Sequence, residues 1–357
     1  VRFRDVVRGE FSFENAELDD FVIIRSDGRP TYNFAVVVDD ARMRISHVIR
    51  GDDHISNTPR QVHVYHALGH RLPKFVHLPM ILGEDRARLS KRHGATSIDH
   101  YRDRHYLPEA MINYLALLGW SLDGEREYFE RRSLIDKFSL KRISKNPAVF
   151  DLARMEHINA EHFKKMPLGR KTVLAYRALE QEGCIPGDFE VDINRPVDLK
   201  VVAGTESQDD DGEESGGRFD EKEFQRLVLI IDAYGNRLKL LKDIPDMLRY
   251  FFKDDFPRDE KAFLTYFNDP EHLENLSVLA GELERLKYFD AKGVEETLRS
   301  LADRLDLDAG ELIHPARVAV TGQTVSPDIF RVIALLGKSK TVERIRSAVQ
   351  AGSAGKI

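Results

Sequence analysis

Two apolar stretches, residues 45–49 and 75–82, are separated by one helical segment, and each runs into a cluster of polar residues. That pattern limits the fold more than any other feature of the chain. Residues 45–49 alternate as a strand does and lead into Arg50-Gly51-Asp52-Asp53-His54. Thr58-Pro59 then opens a helix, with Thr as N-cap and Pro at the first helical position, and the helix runs to Leu68 and stops at Gly69. Residues 75–82 read as a second strand, opening into Arg86-Ala87-Arg88-Leu89-Ser90-Lys91-Arg92-His93. Ahead of both, residues 21–25 read as a strand from their β-branched content, residues 26–30 as a turn, and a helix carrying Tyr32, Ala35 and Val36 starts near Thr31. Helix, strand, helix, strand and loop in succession predict an α/β fold, half of a doubly wound parallel sheet. Ligands of such sheets bind beyond the carboxyl ends of the strands, where Arg50, Asp53 and the Lys91 loop stand.

From Pro108 the text becomes helical. Residues 108–118 form a strong helix closed by Gly119, residues 123–124 a turn, and residues 147–151 lead into another helix. Residues 220–252, 271–288, 294–304 and 328–336 also read as helices. Between them, residues 208–217 hold no apolar side chain and cannot offset their ordering entropy, so a disordered linker is expected there. The expected organisation is α/β then all-α, in four parts: 1–100, 101–170, a linker or insertion at 171–219, and 220–357.

At 357 residues there is room for about two or three domains. A composition of 42% hydrophobic and 32% charged residues predicts a water-soluble protein with a substantial core. No apolar run approaches the ~18 residues of a membrane helix, and neither a membrane nor DNA is an expected partner. One cysteine, Cys184, excludes internal disulfides and all-cysteine metal sites, and fits a reducing cytoplasm. A net charge of −6 is unlike a general nucleic-acid binder. RNA senses the local field, however, and basic clusters lie at residues 86–93, 141–145, 164–171 and 237–242. The chain begins Val1-Arg2-Phe3 without an initiator Met or a signal-peptide pattern, so it is expected to be part of a longer protein.

Arg88-Leu89-Ser90-Lys91-Arg92 resembles the "KMSKS" loop of class I aminoacyl-tRNA synthetases in its glutamyl form, with Arg88 where Lys is usual. Alone, five residues would read as a solvated basic loop. Longer stretches resemble the same family in the same order: Ser26 to Ala35, Val37 to Asp40, His47 to His54, Ser56 to Gln61, Leu107 to Ala110, Asn113 to Ser121, Pro147 to Asp151, and Arg317 to Gly322 through Lys338. The likeness implies the second half of a class I Rossmann-type catalytic domain, followed by helical stem-contact and helical anticodon-binding domains. The implied activity is ATP-dependent attachment of L-glutamate to tRNA(Glu) through a glutamyl-adenylate, with Mg2+ accompanying the ATP. In such a reaction charge builds on the leaving pyrophosphate, and a mobile cationic loop stabilises that state above the ground state.

By position, the resemblance makes Lys91 catalytic and places Arg88, Leu89, Ser90, Lys91, Arg92, Asp53 and Ile81 at ATP, with Asp53 toward the ribose and Ile81 at the adenine. Tyr32, Val36 and Arg50 fall at glutamate; Arg50 offers a planar fork for a dicarboxylate, whereas Val36 brings only backbone or shape to a position that is often polar. Outside the family, Tyr32 would read as helix packing, Arg50 as a surface ion pair and Ile81 as core. Arg237, Lys239 and Lys242 are either tRNA contacts or a solvated face. The other class I signature, His-Ile-Gly-His, is expected upstream of Val1, together with any zinc site. His66-Ala67-Leu68-Gly69-His70 has one residue too many and sits at a helix end, and His63, His66 and His70 lack a carboxylate to orient them as metal ligands. Three alternatives stay open: a glutaminyl enzyme, argued against by the helical carboxyl half; a relative that glutamylates a modified tRNA base, which would lack that half; and a non-catalytic tRNA-binding protein, argued against by Lys91, Arg50 and Tyr32.

Overall fold

The computed structural model describes residues 1–90, 97–193, 197, 199 and 219–354. The chain divides into two units, Val1–His162 and Phe163–Ile357. The first opens on β1 (Arg2–Asp5) and β2 (Gly9–Ser12), paired antiparallel. Then come α1 (Tyr32–Arg42), β3 (His47–Gly51), α2 (Thr58–Ala67) and β4 (Lys74–Leu78). The sheet order is β2-β1-β4-β3, with β1, β4 and β3 parallel and β2 an antiparallel edge. Phe3, Val37, Val62, Val64, Tyr65 and Phe75 form its buried core. Burying each such side chain stabilises the fold by about 1.5–3 kcal/mol.

Three features differ from the sequence expectations in this region. Residues 21–25 are not a strand: only Ile24 bridges, to Pro30, and Val22, Ile23 and Ile24 are exposed. β-propensity reports fitness for a half-buried pleated surface, and no neighbouring strand supplies one here. Thr58 is not the N-cap; Asn57 holds that place, and the Thr58 hydroxyl is turned to Arg50 instead. Residues 75–82 are two strands, because Pro79 has no N–H to continue a ladder. The second piece, β5 (Ile81–Leu82), belongs to another sheet.

Beyond β5 lie α3 (Ile98–Asp103), α4 (Pro108–Leu117), α5 (Arg131–Lys137), β6 (Ala148–Val149) and α6 (Leu152–Lys165), within which the division between units falls. β6 pairs parallel with β5. Asn113, buried on α4, accepts from the Phe129 amide at 2.8 Å and donates to the Glu127 carbonyl at 2.8 Å, which fixes the following loop.

The second unit is helical: α7 (Leu168–Gln181), α8 (Glu221–Tyr234), α9 (Ile244–Phe252), α10 (Glu260–Phe267), α11 (Pro270–Arg285), α12 (Ala291–Leu305), α13 (Ala309–Thr321), α14 (Ile329–Leu336) and α15 (Lys338–Ser353). Asp220, Asp259, Asp269, Asp290, Asp308 and Asp328 each cap a helix by accepting a first-turn amide, which sets where those helices start. The expected helix over 220–252 breaks at Gly235, whose φ of 50° suits glycine, and restarts at Ile244. The acidic run 208–217 lies outside the described residues. Among the described residues no helix is long and apolar enough to cross a membrane.

Candidate active site

The carboxyl ends of the three parallel strands each bring one polar side chain to the same place. β1 ends at Asp5, and in the register of β3 with β4, Arg50 lies opposite His77. The Asp5 and His77 side chains are 0% exposed. Asp5 accepts four N–H groups: the Val7 amide at 2.9 Å, the Arg8 amide at 2.7 Å, the His77 amide at 3.0 Å and His77 Nδ1 at 2.8 Å. Such a carboxylate is fully satisfied in place. His77 Nε2 in turn receives Arg50 Nε at 3.2 Å, and Arg50 Nη2 donates to Thr58 Oγ1 at 2.8 Å and to the His54 carbonyl at 3.4 Å. Burial pushes the His77 imidazole below its ordinary pKa, against the pull of Asp5. Burial also works against the Arg50 charge, and Tyr32 and Asp40 nearby offset part of that cost.

Tyr32 opens α1 and is 52% exposed, so it does not pack in the core. Its hydroxyl lies 3.4 Å from His54 Nδ1 and close enough to Arg50 to favour the guanidinium charge. Val36, a turn further along, is half-buried against the Phe3–Phe75 core. Below it, buried Gln61 donates to Asn33 Oδ1 at 2.9 Å, joining α2 to α1.

Ile81 and the root of the basic loop form a small hairpin. The Leu89 amide donates to the Ile81 carbonyl at 2.9 Å, Leu82 bridges Arg88, and Arg86 turns the loop at a φ of 59°. β6 holds the other side, with the Phe150 amide on the Leu82 carbonyl at 2.8 Å. Ser90 is half-buried, and Lys91 and Arg92 lie outside the described residues. Arg88 Nη2 reaches Asp53 Oδ2 at 2.9 Å, so two of the expected nucleotide residues meet directly. Next to them Arg8 donates to Asp52 at 2.5 Å and to the Lys145 carbonyl at 2.6 Å.

In the helical unit, Arg237, Lys239 and Lys242 are exposed in the connection between α8 and α9. Arg317 of α13 joins this set. Burial lowers its pKa first and the Arg237 charge lowers it further, so the two cations oppose one another. Arg317 Nη1 reaches His314 Nδ1 at 3.3 Å, and Tyr266 stacks on His314 with centroids 6.5 Å apart. His66 and His70 are exposed at the end of α2.

Sequence reading missed Asp5, His77 and Arg317. For His77 a signal was there: an ionisable residue inside an apolar strand needs a buried partner, and His77 interrupts just such a run.

Comparisons with known proteins find one family match within each unit. Residues 1–157 match the family of catalytic domains of class I tRNA synthetases (E and Q), and residues 208–349 an anticodon binding domain family. The chain is 40% identical over 347 residues to a glutamate–tRNA ligase of Moorella thermoacetica, covering 97% of this chain and 65% of that protein. It is 39% identical over 347 residues to one from Thermodesulfovibrio yellowstonii, covering 97% of this chain and 68% of that protein. A glutamate tRNA ligase from Elizabethkingia meningosepticum, solved in complex with its amino acid, superposes with a TM-score of 0.76 at 28% identity, over 98% of this chain and 66% of that one. The chain thus spans about two thirds of its relatives' length. An α/β unit bearing Arg50 at its strand ends, an all-helical second unit, and these likenesses across nearly every residue leave one conclusion: the chain belongs to the glutamate–tRNA ligase family of class I tRNA synthetases.

Proposed function

We propose that this chain carries the glutamate-binding, phosphate-binding and anticodon-binding parts of an enzyme that joins glutamate to tRNA(Glu) through glutamyl-adenylate in the cytoplasm. The observation that carries the reading is Arg50: a half-buried cation at the strand ends, its Nε and Nη2 tied to neutral partners and Nη1 engaged by none of those three bonds. A half-buried cation that is hydrogen-bonded to no carboxylate among the described residues, with Asp40 acting on it only through its charge, favours an anionic ligand, and the planar fork suits a carboxylate. Tyr32 beside it completes one wall, and Val36 contributes only its shape.

The nucleotide is assigned to Asp53, which follows β3, and to the hairpin at Ile81, which Arg88 joins to it. Ile81 and Leu89 form the floor for adenine, Asp53 accepts from the ribose, and the loop from Arg88 through Ser90, Lys91 and Arg92 closes on the phosphates. Its cations stabilise the charge that develops on departing pyrophosphate. Mg2+ enters with the ATP: it keeps phosphate oxygens and waters as ligands rather than a dedicated protein cage. Among the described residues no group of three or more His, Cys, Asp or Glu side chains is placed to hold a metal ion. No residue of this reading is assigned to holding it.

In the helical unit, Arg237, Lys239, Lys242 and Arg317 present clustered positive charge, which the phosphates of a tRNA anticodon arm would neutralise. Residues 101–170 serve as the stem contact and 220–357 as the anticodon-binding domain. Glutamate-dependent exchange of pyrophosphate into ATP, measured with the intact protein and tRNA(Glu), tests the reading. Exchange with glutamate and not with glutamine is expected; tRNA binding without exchange would make this a non-catalytic binding protein.

A further inference from the structure

We propose that Asp5 and His77 are positioning residues that hold Arg50 in place and leave its charge to the substrate. The inference rests on Arg50 being the cation that receives glutamate. Asp5 accepts two turn amides and both N–H groups of His77, the amide and Nδ1, so its orientation is set from four directions. A carboxylate only accepts, so the imidazole proton sits on Nδ1 and Nε2 presents a lone pair. Arg50 Nε only donates, and it meets that lone pair at 3.2 Å. The opposite tautomer, or an imidazolium, would set N–H against N–H and release the guanidinium.

The order of the three groups matters as well as their geometry. Had a carboxylate stood where His77 stands, Arg50 would be fixed but neutralised by an ion pair within the protein. A neutral imidazole fixes it without that loss, and the Asp5 charge is kept one ring away. Asp52 is the other acidic group near His77, and Arg8 donates to it at 2.5 Å. Thr58 adds a second neutral contact, accepting from Arg50 Nη2 at 2.8 Å. The arrangement therefore serves selection of a carboxylate over the isosteric amide, and it does so from residues that touch no substrate.

The test compares His77→Phe and His77→Gln in the intact protein with tRNA(Glu), reading KM for glutamate and for ATP by pyrophosphate exchange. Phe keeps the ring and its stacking on Phe75 but removes the acceptor; Gln restores an acceptor oxygen near the Nε2 position. His77→Phe is expected to raise the glutamate KM about tenfold or more, the scale of a lost hydrogen bond to a charged group. The ATP KM should stay within about twofold, and His77→Gln should recover most of the loss. An unchanged glutamate KM, equal losses in both variants, or glutamate and ATP KM rising together would overturn the proposal. Should His77→Phe not fold, nitrogen chemical shifts of the wild-type His77 imidazole decide instead. A neutral ring protonated at Nδ1 near neutral pH supports the proposal, and an Nε2–H ring or an imidazolium overturns it. Arg50→Lys, run alongside, separates the two readings. If it leaves the glutamate KM unchanged, the substrate assignment fails; if it raises KM and His77→Phe does not, only the positioning role fails.

Discussion

Arg88 donates to Asp53 across 2.9 Å and so ties the root of the basic loop to the residues that follow β3. The two side chains are 65% and 32% exposed, and a pair that wet contributes about 0–1 kcal/mol. It is weak enough for a nucleotide to break. On the proposed function, a ribose hydroxyl that takes over Asp53 would release Arg88 toward the phosphates.

Asp53→Ala should therefore raise the ATP KM about tenfold and leave the glutamate KM unchanged, with a melting temperature within about 1 °C of wild type. Gly51→Ala should act in the same direction by a different route. A Cβ at Gly51 would lie 2.5 Å from Asp53 Oδ1, so the carboxylate must swing away while the backbone, at a φ of −64°, accepts alanine without strain. Equal ATP KM values in wild type and both variants would refute the role given to Asp53.

The loop cation gives a sharper kinetic effect. Lys91→Ala should slow adenylate formation about a hundredfold, ~3 kcal/mol of lost transition-state stabilisation, with little change in glutamate affinity. Pyrophosphate exchange in the presence of tRNA reads this directly, and an unchanged rate would remove Lys91 from the chemistry.

Arg344 is the stability keystone of the helical unit. It is 6% exposed and donates to the Val320 carbonyl at 2.9 Å, the Lys253 carbonyl at 3.0 Å and Asp254 at 2.9 Å, with its guanidinium 4.5 Å from the Phe256 centroid. Arg344→Met should destabilise this unit by about 2–4 kcal/mol, because the buried Val320 carbonyl and the part-buried Lys253 carbonyl lose their donor. Denaturant unfolding followed by circular dichroism measures it, and a change below about 0.5 kcal/mol, ordinary for surface substitutions, would show the clamp to be ornamental.

How far the sequence anticipated this site depends on how local each signal was. The start of α1 at Tyr32, the strand end at Arg50 and the basic loop were legible because caps, turns and apolar periodicity act within a few residues. Ile81, Asp53 and Arg88 were singled out only through resemblance. β1 and β2 were not readable as sheet partners: each has four residues, and β1 joins β4 through a contact some seventy positions away, Asp5 opposite Phe75. Asp5 consequently drew no reading, and His77 read only as part of the strand over residues 75–82. Residues 21–25 failed in the opposite sense, having strand composition without a neighbour to pair with. Arg317 escaped notice because its meaning comes from proximity to Arg237, eighty positions earlier, which only packing reveals.

That proximity can be tested on its own. Arg237→Gln and Arg317→Gln should each weaken tRNA(Glu) binding and reduce the slope of log affinity against log salt by about one, the signature of one lost phosphate contact. Exchange rates at saturating tRNA should stay near wild type. A salt slope unchanged in both variants would exclude this face from the RNA interface.

The central claim is that Arg50 is the cation that receives the substrate carboxylate. Arg50→Lys keeps the charge but loses the planar fork and the hydrogen bond to His77, so it isolates geometry from electrostatics. Steady-state pyrophosphate exchange with tRNA(Glu), varying glutamate at saturating ATP and then the reverse, is the direct measurement. The expected result is a glutamate KM raised about a hundredfold, ~2.7 kcal/mol, with the ATP KM within about twofold of wild type. A glutamate KM that stays at the wild-type value, or an ATP KM that rises equally, would contradict it.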